Sequence, residues 1–105
     1  MTGVQTCALP ISAFTAITGK AHWETLVRAR AIENLCYVIA SAQGGYHANG
    51  RETHGDSMII DPWGHVQDRL PRGSGVVMGT IKLSCVHEIR RTFPCLTHRR
   101  LKCAL

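Results

Sequence analysis

The stretch LCYVIASA, residues 35–42, constrains this chain more than any other part of it. It is a short, uncharged, continuous run rich in strand-forming residues, the pattern of a β-strand buried on both faces. Such a strand needs a layer of structure on each side. At 105 residues, 45% hydrophobic and 18% charged, the chain suits a single globular unit. The elements that can be read around the strand are too few to cover it twice. The sequence therefore predicts an incomplete domain, the end of a larger α/β fold.

Upstream, TGKAHWETLVRARAIEN predicts a helix, with Thr18 as its cap and Trp23, Leu26, Val27 and Ala31 along one apolar face. Glu24 precedes Arg28 by four residues and Arg30 precedes Glu33 by three, spacings that allow ion pairs on the helix surface. Downstream, the polar glycine-rich QGGYHANGRETHG reads as a loop of functional length. DSMIID and HVQDRL then flank Asp61-Pro62-Trp63-Gly64, which has Asp, Pro and Gly where a type I turn favours them, so a β-hairpin is expected. A further strand is expected at VVMGTIKL (Val76–Leu83) and a short helix at CVHEIRRTF, capped by Ser84 and stopped by Pro94.

The formal charge of +5 is concentrated partly in HRRLK at residues 98–102. It reads as a solvated tail, because no helix-turn-helix, aromatic platform or zinc module accompanies it. The expectation is therefore no nucleic-acid partner, and no apolar run reaches membrane-spanning length. Five cysteines without a Cys-x-x-Cys pair point away from structural zinc and toward a reducing, cytoplasmic setting. Cys36 reads as a small buried hydrophobe. His47, His54 and Asp56 share the glycine-rich loop, but their spacing matches no zinc signature, and no metal is expected. His22 reads as a packing or hydrogen-bonding residue. No complete active site is legible.

Three segments in order, SAFTAITGKAHWETLVRARAIENLCYVIASAQGG, THGDSMIIDPWGHV and RRTFPCLTHRR, resemble the C-terminal part of the nitrilase superfamily, the carbon–nitrogen hydrolases. The nearest branch is that of amidases acting on deaminated glutathione and on ω-amides of short dicarboxylic acids. The resemblance spans residues 12–101 and implies the C-terminal portion of an αββα four-layer sandwich, with 102–105 as a tail. It implies a parent enzyme that hydrolyses a small amide with a Glu base, a Lys and a Cys nucleophile. It also implies that the parent pairs into a homodimer and needs no cofactor. In the family pattern that triad lies upstream of SAFT, so no catalytic residue is assigned in this chain and the fragment alone is expected to be inactive. The readings from other classes are a non-enzymatic basic interaction module and an artefactual reading frame with no product.

Carried over residue by residue, the resemblance implies that Phe14 and Thr15 line the substrate pocket. It places Arg28, Arg30 and Glu33 in a polar helix network that meets a partner subunit, with plain intrachain pairing as the preferred alternative. Asp61, Pro62, Trp63 and Gly64 form the structural turn. Residues 1–11 resemble the in-frame translation of a common sequencing-library adapter. They are expected to be a non-native leader, joined to the family segment between Ile11 and Ser12, which sets Cys7 aside as a nucleophile.

Overall fold

The computed structural model describes residues 7–101. Strand β1 (Ala8–Ala13) leads into helix α1 (Ile17–Asn34), which returns the chain to β2 (Tyr37–Ala42), parallel to β1. A small antiparallel pair follows, β3 (Gly44–Tyr46) with β4 (Glu52–His54). Then β5 (Ser57–Ile60) and β6 (Val66–Leu70) complete a four-stranded sheet in the order β1-β2-β5-β6. Helix α2 (Leu83–Thr92) and a single 3-10 turn at Cys95–Thr97 close the described chain. The architecture is mixed α/β, one helix laid on one face of a mixed sheet.

Helix α1 buries Gly19, Trp23, Val27 and Ala31, a strict four-residue repeat. These side chains meet Val38, Ala40, Met58 and Ile60 from the centre of the sheet, and that cluster is the core. Leu26 does not join it and is 54% exposed, because the helix touches the sheet along a single narrow line. His22 also faces solvent rather than packing. Neither expected hydroxyl cap forms. The helices start two residues earlier than caps at Thr18 and Ser84 would place them, at Ile17 and Leu83, and neither N-terminus has a side-chain cap.

Strand β2 is covered on one face only. Val38 and Ala40 lie under α1, while Ile39 and Ser41 on the other face are exposed. Their register partners in β1, Pro10 and Ser12, are exposed with them. Only the Tyr37 end of that face is closed, where the Tyr37 hydroxyl accepts the Lys82 N–H at 3.3 Å. The two-sided burial expected of this run is thus half realised within the chain, as an incomplete domain requires.

Two other expectations are corrected. The Gln43–Gly55 stretch is not an open loop, because β3 and β4 fold it into a hairpin. Val76–Leu83 is not a strand. Its residues before Leu83 carry no regular structure, Val76 and Met78 are 79% and 75% exposed, and Leu83 opens α2. Its β-forming composition had no ladder to join; instead the Met78 N–H binds the Asp68 carboxylate at 2.9 Å. Strand β1 runs through the Ile11–Ser12 junction without interruption, with Leu9, Ile11 and Ala13 packed against the core.

Helix α1 ends on Leu35, which adopts a left-handed conformation at φ +46° and whose N–H reaches back to the Ile32 carbonyl. A leucine there costs about 1–2 kcal/mol in backbone strain. Burial of its side chain to 1% exposure offsets that cost. The Arg90 guanidinium donates to the carbonyls of Leu35 (3.2 Å) and Asn34 (3.3 Å), so α2 closes the end of α1.

Candidate functional site

In open α/β sheets, ligands settle beyond the carboxyl ends of parallel strands. Here those ends are Phe14-Thr15 after β1 and Gln43 after β2, and the β3–β4 hairpin folds over them. The backbone closes this arrangement tightly: the Thr15 carbonyl accepts the His54 N–H at 2.6 Å, and the Ala13 carbonyl accepts the Gln43 N–H at 3.2 Å. A side chain on Gly19 would collide with the Thr15 hydroxyl, so the first turn of α1 needs glycine to sit this close.

The Phe14 ring, 40% exposed, has the His47 ring 4.6 Å away at 46° and the Arg51 guanidinium 4.9 Å from its centroid. His47 Nε2 lies 2.6 Å from the Thr53 hydroxyl, which itself donates to the Gln43 carbonyl at 2.6 Å. A hydroxyl has one proton to give, so His47 Nε2 must donate and its tautomer is set. A cleft of about 530 Å³ borders this group, lined by Gln43, Gly44, His47, Ser57 and Leu70 among others. The structure thus brings Phe14 together with His47, Thr53 and Arg51. None of these three stands out as its partner in the sequence, because the strands of the hairpin that delivers them are only three residues long.

A second cleft, about 590 Å³, lies between the start of α1, β4 and the end of β6. Its charges are largely committed to one another. Arg72 pairs with Glu52 at 2.9 Å, and Arg69 pairs with Glu24 and lies 3.6 Å from Asp56 Oδ1. His54 Nε2 stands 3.9 Å from the same carboxylate. The Asp56 backbone carbonyl accepts the Trp23 indole N–H at 2.8 Å. This network fastens α1 to the hairpins, and the strand-end group is the better candidate for a site.

The other sequence-marked residues lie apart from Phe14. Arg28 donates to the Gly64 carbonyl at 2.9 Å and lies 3.8 Å from Glu24. Arg30 pairs with Glu33 at 2.5 Å, both half exposed. The turn is held by the Asp61 carboxylate, which accepts the N–H groups of Trp63 (2.9 Å) and His65 (3.0 Å). The Asp61 carbonyl accepts the Gly64 N–H at 2.9 Å, and Gly64 has φ +91°. Pro62 is buried, and Trp63 meets Phe93 edge-on at 5.8 Å.

Cys36 is buried, and that burial pushes its thiol pKa up, the nearby Arg90 opposing the shift. A thiol held protonated is a poor nucleophile. Asp68 shifts the opposite way: the N–H groups of Met78 and then Arg69 hold its carboxyl below the usual range. Among the described residues, no three His, Cys, Asp or Glu side chains converge as metal ligands would, and no helix is long and apolar enough to cross a membrane.

A βαβ unit extended by a hairpin, open on one sheet face and organised at its strand ends, defines a segment of a layered α/β domain. The chain belongs to the carbon–nitrogen hydrolase family, whose model matches residues 6–91. That match closes before the terminal tail. The chain is 51% identical over 89 residues to the deaminated glutathione amidase of Homo sapiens, covering 85% of this chain and 27% of that protein. It spans about a quarter of the length of this curated relative. The NitFhit protein of C. elegans superposes with a TM-score of 0.80 at 48% identity, over 89% of this chain and 23% of that one. A CN-hydrolase superfamily protein from Xanthomonas campestris superposes with a TM-score of 0.84 at 32% identity, over 94% and 37% respectively.

Proposed function

We propose that this segment is the C-terminal part of an amidase that hydrolyses small ω-amides or deaminated glutathione through a Glu–Lys–Cys mechanism. The cysteine attacks the amide carbon, ammonia leaves, and water resolves the thioester. The observation that carries the reading is the strand-end site. It presents an aromatic wall, Phe14, and a polar rim, but among the described residues no nucleophile paired with a base. Those groups belong to the preceding part of the parent, and Phe14 and Thr15 line the pocket into which they project. The segment alone is inactive. The parent works in the cytoplasm as a homodimer, with the exposed α1 surface around Arg30 and Glu33 toward its partner. Residues 1–11 are a foreign leader, in which Leu9 and Ile11 take core positions that the parent's own strand fills.

Ammonia release from α-ketoglutaramate tests the reading. The chain by itself is expected to release none, whereas the full-length enzyme carrying this segment is expected to turn the amide over. Turnover by the chain alone overturns the assignment.

A further inference from the structure

Arg51 sits beside the strand-end site with its charge uncommitted. The other arginines of the hairpins are paired, Arg69 with Glu24 and Asp56, and Arg72 with Glu52. Arg51 has no carboxylate at ion-pair distance among the described residues; its guanidinium rests 4.9 Å from the Phe14 ring centroid. Its backbone is fixed, since its carbonyl accepts the His47 N–H at 2.8 Å and its N–H donates to the Asn49 side chain at 3.0 Å. The His47–Thr53–Gln43 chain of hydrogen bonds then ties the hairpin to the end of β2.

From this arrangement we infer that Arg51 selects substrates carrying a carboxylate distal to the scissile amide. The guanidinium presents parallel N–H donors that match the two oxygens of a carboxylate. Phe14 beneath it offers a flat apolar wall for the methylenes between carboxylate and amide. Cation–π contact with an exposed ring is weak enough to leave the donors available to a ligand.

The inference rests on the amidase reading above and is tested in the full-length enzyme carrying this segment. The probes are α-ketoglutaramate, whose carboxylate is charged, and its neutral methyl ester. Arg51→Gln is expected to raise KM for the acid roughly 10- to 100-fold, the worth of a hydrogen bond to a charged group. KM for the ester and kcat for both should stay within about twofold, because the contact is made equally in ground and transition states. Arg51→Lys is expected to recover part of the loss for the acid alone, keeping the charge without the fork. Equal KM increases for acid and ester, or a loss confined to kcat, overturn the role of Arg51 while leaving the amidase reading standing. A wild-type enzyme that releases ammonia from neither probe overturns that reading itself.

Discussion

Exchanging Gly55 for alanine separates two causes that usually act together in a glycine. Gly55 and Gly50 have nearly the same backbone conformation, φ +84° and +83°. An alanine at either position meets the same left-handed cost, about 1–2 kcal/mol. A stiffer unfolded chain offsets about 0.4–1 kcal/mol of it. Their surroundings differ. A Cβ at Gly50 meets nothing within 4 Å; at Gly55 it collides with the Pro71 carbonyl oxygen and comes within 2.9 Å of Gly44 Cα. Both neighbours are backbone atoms that are already held, since the Pro71 carbonyl accepts the Asp56 N–H at 2.8 Å and Gly44 pairs with His54. Relief means surrendering that Asp56 bond at a residue only 8% exposed. Leaving the N–H unmatched costs roughly 1–3 kcal/mol more. Gly55→Ala should therefore destabilise by about 1–4.5 kcal/mol, and Gly50→Ala by no more than about 1.6 kcal/mol. Urea unfolding of both variants, followed by far-UV circular dichroism, measures the difference. Hydrogen exchange at the Asp56 amide reports whether the bond has opened. Equal shifts in midpoint for the two variants would refute the steric argument and leave backbone conformation as the whole effect.

The remaining expectations concern the core and the acid limit. Trp23→Phe keeps most of the buried ring but removes the N–H that serves the Asp56 carbonyl, and its urea midpoint should fall by an equivalent of about 1–3 kcal/mol. Leu26→Ala, on the exposed side of the same helix, should stay within about 0.5 kcal/mol; comparable losses would mean the buried face is drawn wrongly. Asp68 has a folded-state pKa below its unfolded one, because two N–H groups favour its charged form. Its stabilising contribution is therefore complete above the unfolded value and is lost as pH falls through the folded value, below about pH 4. Asp68→Asn should flatten the acid limb of the stability profile, and an unchanged limb counts against this assignment.

The parts of the fold legible in the sequence are those set by local chemistry. Asp61, Pro62 and Gly64 specify their own turn through one carboxylate and one positive φ, and the apolar residues on either side make that hairpin. The body of α1 was legible from its repeat, although Leu26 was not separable from the buried set until the sheet's line of contact was known. What escaped depends on partners distant in sequence. Val76 and Met78 have strand-forming composition, but no ladder forms on them. The β3–β4 pair is three residues a side, too short for alternation to declare itself. Thr18 and Ser84 carry the right hydroxyls for caps, yet each helix begins a turn-fraction earlier. At the candidate site, Phe14 was legible only by resemblance. His47 and Arg51 reach it because a hairpin folds back, which no spacing in the sequence announces.

The end of α1 is joined to a residue far along the chain. Its last carbonyls, at Asn34 and Leu35, meet Arg90 across separations of 56 and 55 residues. During synthesis the whole of α1, β2 and the β5–β6 hairpin is made before that guanidinium exists. At roughly 5–20 residues per second, the helix end waits several seconds for it. The growing chain must meanwhile hold Leu35 in its left-handed turn with its own backbone bonds to the Ile32 and Ala31 carbonyls. Until α2 is made, the end of α1 therefore lacks the two donors that close it in the finished fold.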